Sequence, residues 1–264
     1  MAVSPAHHLL KFRHGCMLTV KCFRFPCVKH LTTTIFRTSN SKSKNLKKQA
    51  SELLEYSQEE NVKSIAAEHF SLFTNFITSE EETSLITEID TKWRRLKYQK
   101  GHWDNAIQDY RELEIRDWRT HNASIIQRIQ EVAFDDGDVK NNLIHVLDLS
   151  PIGFINPHVD STRFCGRVIA GLSLLSSCVM KYTHKGDASI WFQALLPPKS
   201  LYIMKDRVRY EFEHEILKNE DSMFKGEKVT KSRRVSLLCR SKPHIEHDDK
   251  PGQLFKPITL FENT

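Results

Sequence analysis

Residues 143–160 read LIHVLDLSPIGFINPHVD. Two short runs of Val, Ile and Leu, at 143–149 and 154–159, are parted by Ser150-Pro151-Ile152-Gly153. The same texture continues toward the C-terminus, with further runs at 168–175, 178–183, 190–195, 200–204, 209–213 and 233–240, broken by Gly, Pro, Ser and Asp. Short strands at this spacing predict an antiparallel sandwich or barrel.

Upstream of Leu143 the period changes from two to about 3.6. Leu85, Ile86, Ile89, Trp93 and Leu96 recur at helical spacing, and Ser79 with Glu82 makes a capping box, so a helix is expected near 80–97. A second helix is expected near 122–134, with Asn122 as N-cap, an apolar face of Ile125, Ile126, Ile129 and Val132, and Asp135-Asp136-Gly137 ending it. Helices followed by strands give an α+β chain: a double-stranded β-helix (jelly roll) whose N-terminal helices buttress one sheet. Residues 42–65 are polar and read as a linker entering helical structure.

The charge is unevenly spread. The chain is +6 overall, yet ten of its 39 Lys and Arg lie in residues 1–51, which hold no Asp or Glu. The remainder carries 29 basic against 33 acidic side chains, a net of −4. A basic, hydroxyl-rich, acid-free N-terminus, with Thr32, Thr33, Thr34, Thr38, Ser39, Ser41 and Ser43 together, fits a mitochondrial presequence drawn by an inside-negative potential. Lys11, Arg13, Lys21 and Arg24 interrupt every apolar run, which argues against a secretory signal, and no stretch is long and apolar enough for a membrane-spanning helix. Cys16, Cys22 and Cys27 lie in this leader. Cys165, Cys178 and Cys239 sit in apolar, strand-like surroundings and read as buried free thiols.

The local chemistry centres on Pro157-His158-Val159-Asp160. Residues two apart in a strand face the same way, so His158 and Asp160 aim an imidazole and a carboxylate at one point. An H-x-D alone is a weak signal, and by itself it reads more readily as a solvated His beside a strand-end Asp. A third ligand must come from elsewhere, and His214, in Tyr210-Glu211-Phe212-Glu213-His214, is the best candidate. Two histidines and a carboxylate on one face of a metal leave three positions open, the arrangement of non-haem iron oxygenases. The segment Arg234-Val235-Ser236-Leu237-Leu238-Cys239-Arg240 adds a second constraint. Arg234 and Arg240 are an even number of residues apart and share a face with Ser236 and Leu238, where a barrel interior tolerates charge only if it is paired. An inward guanidinium suits a carboxylate. Taken alone, the two arginines read more readily as surface charges on an edge strand; beside the three candidate ligands, a small dicarboxylate that chelates iron at one end and meets Arg at the other is 2-oxoglutarate.

At these residues the chain resembles the AlkB family of dioxygenases, in its mitochondrial branch. The resemblance runs from about Phe70 to Pro243 and is closest at His145–Leu149, Pro157–Ser161, Phe164–Gly166, Ile169–Ser176, Ser200–Ile203, Arg209-Tyr210, His214–Leu217 and Arg234–Ser241. It implies iron(II) bound by His158, Asp160 and His214, with dioxygen as oxidant. It also implies 2-oxoglutarate held between Arg234, on the distal carboxylate, and Arg240, with Tyr202 and Ser236 beside it. The implied domains are a presequence and linker at 1–50, a dioxygenase domain at 51–242 and a tail at 243–264. His244-x-x-His247-Asp248 in that tail reads as solvated, not as a second metal site.

Two departures from the family pattern matter. The Asn-x-Tyr expected before the H-x-D is Leu147-Asp148-Leu149, which makes the co-substrate pocket less polar there and leaves Tyr202 to compensate. The segment from Tyr98 to His121, where nucleic-acid-repairing relatives carry a base-holding lid, is short. Its Trp103, Tyr110 and Trp118 can stack on a base or pack on the barrel rim.

The resemblance implies a matrix enzyme that oxidises a second substrate, by hydroxylation or demethylation, as 2-oxoglutarate becomes succinate and carbon dioxide. It further implies a link to fatty-acid metabolism and to regulated necrosis after alkylation damage. A protein or a mitochondrial RNA fits as substrate. The rivals are a mitochondrial tRNA demethylase, which needs 98–121 as a shortened lid, and a signalling scaffold with a vestigial metal site. The leader is expected to be separable from the enzyme. A chain beginning at Ser51 should fold cooperatively and stay soluble, whereas the full chain should be imported by isolated mitochondria. Insolubility of the shortened chain contradicts this reading.

Overall fold

The computed structural model describes residues 51–243. The leader and the His244-x-x-His247-Asp248 motif lie outside the described residues. Strands β1 (Leu54–Tyr56) and β2 (Phe70–Phe73) flank helix α1 (Glu60–His69); α2 spans Ser79–Trp93 and α3 spans Thr120–Ala133, with β3 (Gln99–Gly101) and β4 (Ile107–Ile115) between them. Then follow β5 (Ile144–His158), β6 (Val168–Leu174), β7 (Cys178–His184), β8 (Asp187–Leu196), β9 (Ser200–Lys205), the short helix α4 (Asp206–Glu211), β10 (Phe212–Ile216), the two-residue strands β11 (Met223–Phe224) and β12 (Glu227–Lys228), and β13 (Arg234–Arg240). No helix among the described residues is long and apolar enough to cross a membrane.

The main sheet curls in the order β1-β8-β7-β10-β5-β13-β6-β9-β2, and β4 also pairs with β5. The jelly-roll expectation is met, with one refinement. The two runs at 143–149 and 154–159 form a single bent strand. Its first half pairs with β13, from Arg234 opposite Leu149 to Leu238 opposite His145, and its second half pairs with β10. The bend falls where the register against β4 shifts between Gln108 and Tyr110, with Asp109 at φ 48°. Gly153 is required there, because a Cβ would lie 2.5 Å from the Asp109 carbonyl oxygen.

Alternation along the strands divides the protein into two cores. Val235, Leu237 and Cys239 of β13, with Val168, Ala170, Leu172 and Leu174 of β6 and Leu201 and Ile203 of β9, pack against Leu85, Ile89 and Trp93 of α2 and Ile125, Ile126 and Ile129 of α3. This is the helical buttress on one sheet. The opposite faces of the same strands turn inward, where Tyr202, Met204 and Ile169 meet Tyr182, Phe192 and Phe212 from the other half of the barrel.

Several local expectations are corrected. The capping box on α2 is Thr78 with Glu81, one residue before the Ser79–Glu82 pair. Thr78 keeps extended backbone and its Oγ1 accepts from the Glu81 N–H, while Glu82 instead accepts from the Leu175 N–H. Helix α2 ends at Trp93, leaving Leu96 exposed. Asn122 is not an N-cap: α3 starts at Thr120, and the N-terminal N–H of Arg119 is capped by the Glu88 carboxylate at 3.0 Å. Asn122 is buried one turn in, donating to Glu88 Oε2 at 2.6 Å and to the Ser84 carbonyl. Residues 209–213 are not a strand, since α4 occupies 206–211 and β10 begins at Phe212. Cys165, Cys178 and Cys239 are buried free thiols, as expected.

Glu88 therefore joins the two helices through a buried carboxylate. Glu88→Leu should remove the acceptor of the Arg119 N–H and one of the two acceptors of the buried Asn122 amide, at about 1–3 kcal/mol for that amide. Urea unfolding should show a lowered midpoint at unchanged m-value.

Candidate active site

In the ladder between β5 and β10, His214 lies opposite His158, and their ring centroids are 4.3 Å apart. The register sets this contact. Behind His214 stands Tyr182, whose ring is stacked on Phe192 at 4.5 Å, giving the imidazole a rigid apolar wall. His158 Nδ1 is 2.9 Å from the Asn156 carbonyl oxygen. A carbonyl only accepts, so the proton sits on Nδ1 and Nε2 keeps its lone pair. That Nε2 is 3.9 Å from Asp160 Oδ1, and one ligand atom from each of His158, Asp160 and His214 falls within 4.8 Å of the others.

Electrostatics hold Asp160 and His214 in metal-ready states. Burial pushes the Asp160 carboxyl up, but Arg240, then His214 and His158, more than offset this and bring it to about 2. The Arg240 Nη2 is 3.8 Å from Asp160 Oδ1. Burial, followed by the neighbouring His158, lowers His214 to about 3, so its ring is neutral. A carboxylate beside imidazole lone pairs is a donor set that fits iron(II).

All seven residues singled out in the sequence line one cavity: His158, Asp160 and His214 with Tyr202, Arg234, Ser236 and Arg240. Arg234 is 1% exposed, its Nε donates to Ser173 Oγ at 3.1 Å, and its Nη2 has no hydrogen-bond partner. Arg240 Nε is likewise buried without a partner. Unsatisfied guanidinium N–H groups are costly in a low-dielectric interior, and two of them on one cavity fit a guest bearing carboxylates. Burial raises the Tyr202 phenol to about 12, keeping it a hydroxyl donor.

Residues 147 and 148 face opposite sides of the strand. Leu147 lines the cavity, while Asp148, fully buried on the opposite face, binds Arg111 at 2.8 Å, Arg233 at 2.9 Å and the Tyr98 hydroxyl at 3.0 Å. The position between the two leucines thus anchors the helices and the β3–β4 hairpin, not the pocket. The 98–121 segment is no free lid: β4 pairs along β5, Tyr110 is 1% exposed within the core, and Trp118 packs against the helical core. Only Trp103, 89% exposed, remains free of such packing among the three rings.

One polar cavity residue was missed. His145 lines the wall and its Nε2 lies 2.9 Å from Glu112 Oε2. Glu112 also lies 3.6 Å from His102 Nε2, and the hydrogen bond with His145 holds its carboxyl below the usual range despite burial. The alternation through Leu147 carried that signal, since it puts His145 on the inward face.

Residues 103–240 match the 2OG-Fe(II) oxygenase superfamily. The chain belongs to this superfamily: it is an iron(II)- and 2-oxoglutarate-dependent dioxygenase, an oxidoreductase that uses dioxygen. Within it the chain is AlkB-like. It is 44% identical over 179 residues to the mitochondrial alpha-ketoglutarate-dependent dioxygenase alkB homolog 7 of Bos taurus, covering 68% of this chain and 81% of that one. Identity to the Mus musculus protein of the same name is 46% over 178 residues, 67% of this chain and 80% of that one. Among solved structures, OsALKBH1 has a TM-score of 0.50 at 13% identity, covering 65% of this chain and 97% of that one, a likeness of fold. A prolyl hydroxylase from Trichoplax adhaerens, also at 0.50 and with 12% identity, covers 80% of this chain and 94% of its own.

Tyr202 owes its place on the wall to Gly171, its cross-strand partner, since a Cβ on Gly171 would lie 2.3 Å from the phenol ring. Gly171→Ala should displace that ring and raise the KM for 2-oxoglutarate several-fold in succinate assays. An unchanged KM, with the substitution verified and the chain folded, would remove Tyr202 from the co-substrate site.

Proposed function

We propose that His158, Asp160 and His214 hold iron(II), and that Arg234 and Arg240 hold the distal and iron-proximal ends of 2-oxoglutarate. The observation that carries this reading is the shared cavity, on which both arginines present a buried N–H group without a partner. When bound, the iron supplies the dioxygen activation that couples decarboxylation of 2-oxoglutarate to oxidation of a second substrate, by hydroxylation or demethylation. Arg240, beside Asp160, serves the iron end, and it balances the charge of that carboxylate. Arg234 lies deeper, with Ser236 between the two arginines on the same face of β13 and the neutral Tyr202 hydroxyl available as a donor. Leu147, Ile169, Met180 and Met204 exclude water, which strengthens every charged contact inside.

A protein is the better supported class of prime substrate than RNA. Two of the three rings available to stack on a base are occupied by packing, and the chain after the leader is net negative, opposing a phosphate backbone. The acid-free basic leader and the mitochondrial names of both relatives support action in the mitochondrial matrix. The family resemblance is what supports a role in fatty-acid metabolism and in regulated necrosis after alkylation damage.

The test is succinate release after anaerobic loading with iron(II) and 2-oxoglutarate, with protein or RNA extracts added before air. Stimulation by RNA alone favours the tRNA demethylase. Arg234→Ala and Arg240→Ala should each weaken 2-oxoglutarate binding by about 2–4 kcal/mol while the fold persists. His158→Ala and Asp160→Ala should abolish succinate formation without unfolding the barrel. If the cellular role survives these changes in folded, imported protein, the scaffold account replaces the enzymatic one.

A further inference from the structure

Two of the three ligand side chains are held by a strand ladder, and one is not. His158 ends β5 and His214 lies in β10, where backbone pairing sets them opposite each other. Asp160 comes two residues after β5 has ended. Its carboxylate is flanked by His158 at 3.9 Å and Arg240 at 3.8 Å, both beyond hydrogen-bond range. The chain becomes fixed again only at the turn in which the N–H groups of Phe164 and Cys165 donate to the Ser161 carbonyl, and at Gly166, whose N–H donates to Ser241.

Arg209 grips that second anchor. From α4, five residues before His214, its Nε donates to the Gly166 carbonyl and its Nη2 to the Cys165 carbonyl, each at 3.2 Å. It is 1% exposed, and its Nη1 is buried without a hydrogen-bond partner. A guanidinium is expensive to bury, and no carboxylate is hydrogen-bonded to this one among the described contacts. Its planar fork spans two successive carbonyls, a geometry that the single ammonium of a lysine cannot reproduce. Its charge is also felt at both Asp160 and His214.

We infer that Arg209 is a positioning residue of the metal centre: it ties the loop carrying Asp160 to the helix–strand segment carrying His214, and so holds the carboxylate within reach of both imidazoles. The inference rests on the assignment of His158, Asp160 and His214 as the metal ligands. Arg209 is not among the residues that line the cavity. It acts through two backbone carbonyls, as outer partners of metal ligands commonly do.

The probe is Mn(II) alone, titrated anaerobically into the full chain and followed by the electron paramagnetic resonance of the free ion. Arg209→Met should weaken Mn(II) binding at least tenfold in protein that still unfolds cooperatively and keeps its near-ultraviolet circular dichroism. Arg209→Lys, which retains the charge but not the fork, should also bind several-fold more weakly than wild type. Wild-type affinity in a folded Arg209→Met chain overturns the inference, and full affinity in Arg209→Lys overturns it in favour of charge alone. If Arg209→Met does not fold, hydrogen exchange in the wild-type chain decides. Mn(II) should slow the amides of 161–166 and 206–211 together, and slowing confined to β5 and β10 overturns the brace. His158→Ala separates the two levels of the argument. Should it bind Mn(II) as wild type does, the ligand assignment itself fails; should it lose binding while Arg209→Met keeps it, only the brace fails.

Discussion

The pairing of β10 with β5, His214 opposite His158, is the constraint on which the site depends. Side chains alternate across a strand, so a slip of one residue would turn one imidazole out of the barrel. On the other side of β10, the ladder with β7 seats His214 opposite Tyr182, so the aromatic wall and the histidine pair meet at one position of β10. β5 can serve both halves of the jelly roll only because it bends at Gly153. Its earlier half faces the arginine strand, and its later half delivers His158.

Charge inside the barrel follows the same alternation. Arg233 and Arg234 are neighbours in sequence and opposite in fate. Arg233 points to Asp148 and Asp90, at 2.9 and 2.7 Å, and closes the helical layer. Arg234 points into the cavity with one N–H unmet. Arg233 is satisfied within the fold, whereas Arg234 leaves a buried N–H unmet. That contrast separates an ion pair that stabilises the fold from the cation proposed for the co-substrate. Asp148 belongs to the former class and faces away from the cavity that Leu147 lines.

The first-turn N–H groups of the two main helices are satisfied in different ways. Helix α2 caps itself through Thr78 and Glu81. Helix α3 borrows the Glu88 carboxylate from α2, so its start depends on the helices already being packed. A local capping pattern therefore placed α2 within one residue, but misassigned Asn122, whose amide serves the same shared carboxylate from inside the helix.

The sequence by itself determined what depends on short-range periodicity and side-chain chemistry. The strand runs from 143 to 240 and the inward face of Arg234, Ser236, Leu238 and Arg240 follow from a period of two. The same rule paired His158 with Asp160, but Asp160 lies beyond the end of β5, so its direction is set by the tertiary structure. His214 was selected by type and position, since no local rule links it to residues more than fifty positions earlier. Only the tertiary structure decided how far β5 runs unbroken, that 206–211 winds into a helix, and that Tyr110 packs in the core. The grip of Arg209 on the Asp160 loop likewise had no counterpart in sequence. Each of these depends on partners distant along the chain, and a buried guanidinium or tyrosine reveals its role only when the groups around it are known.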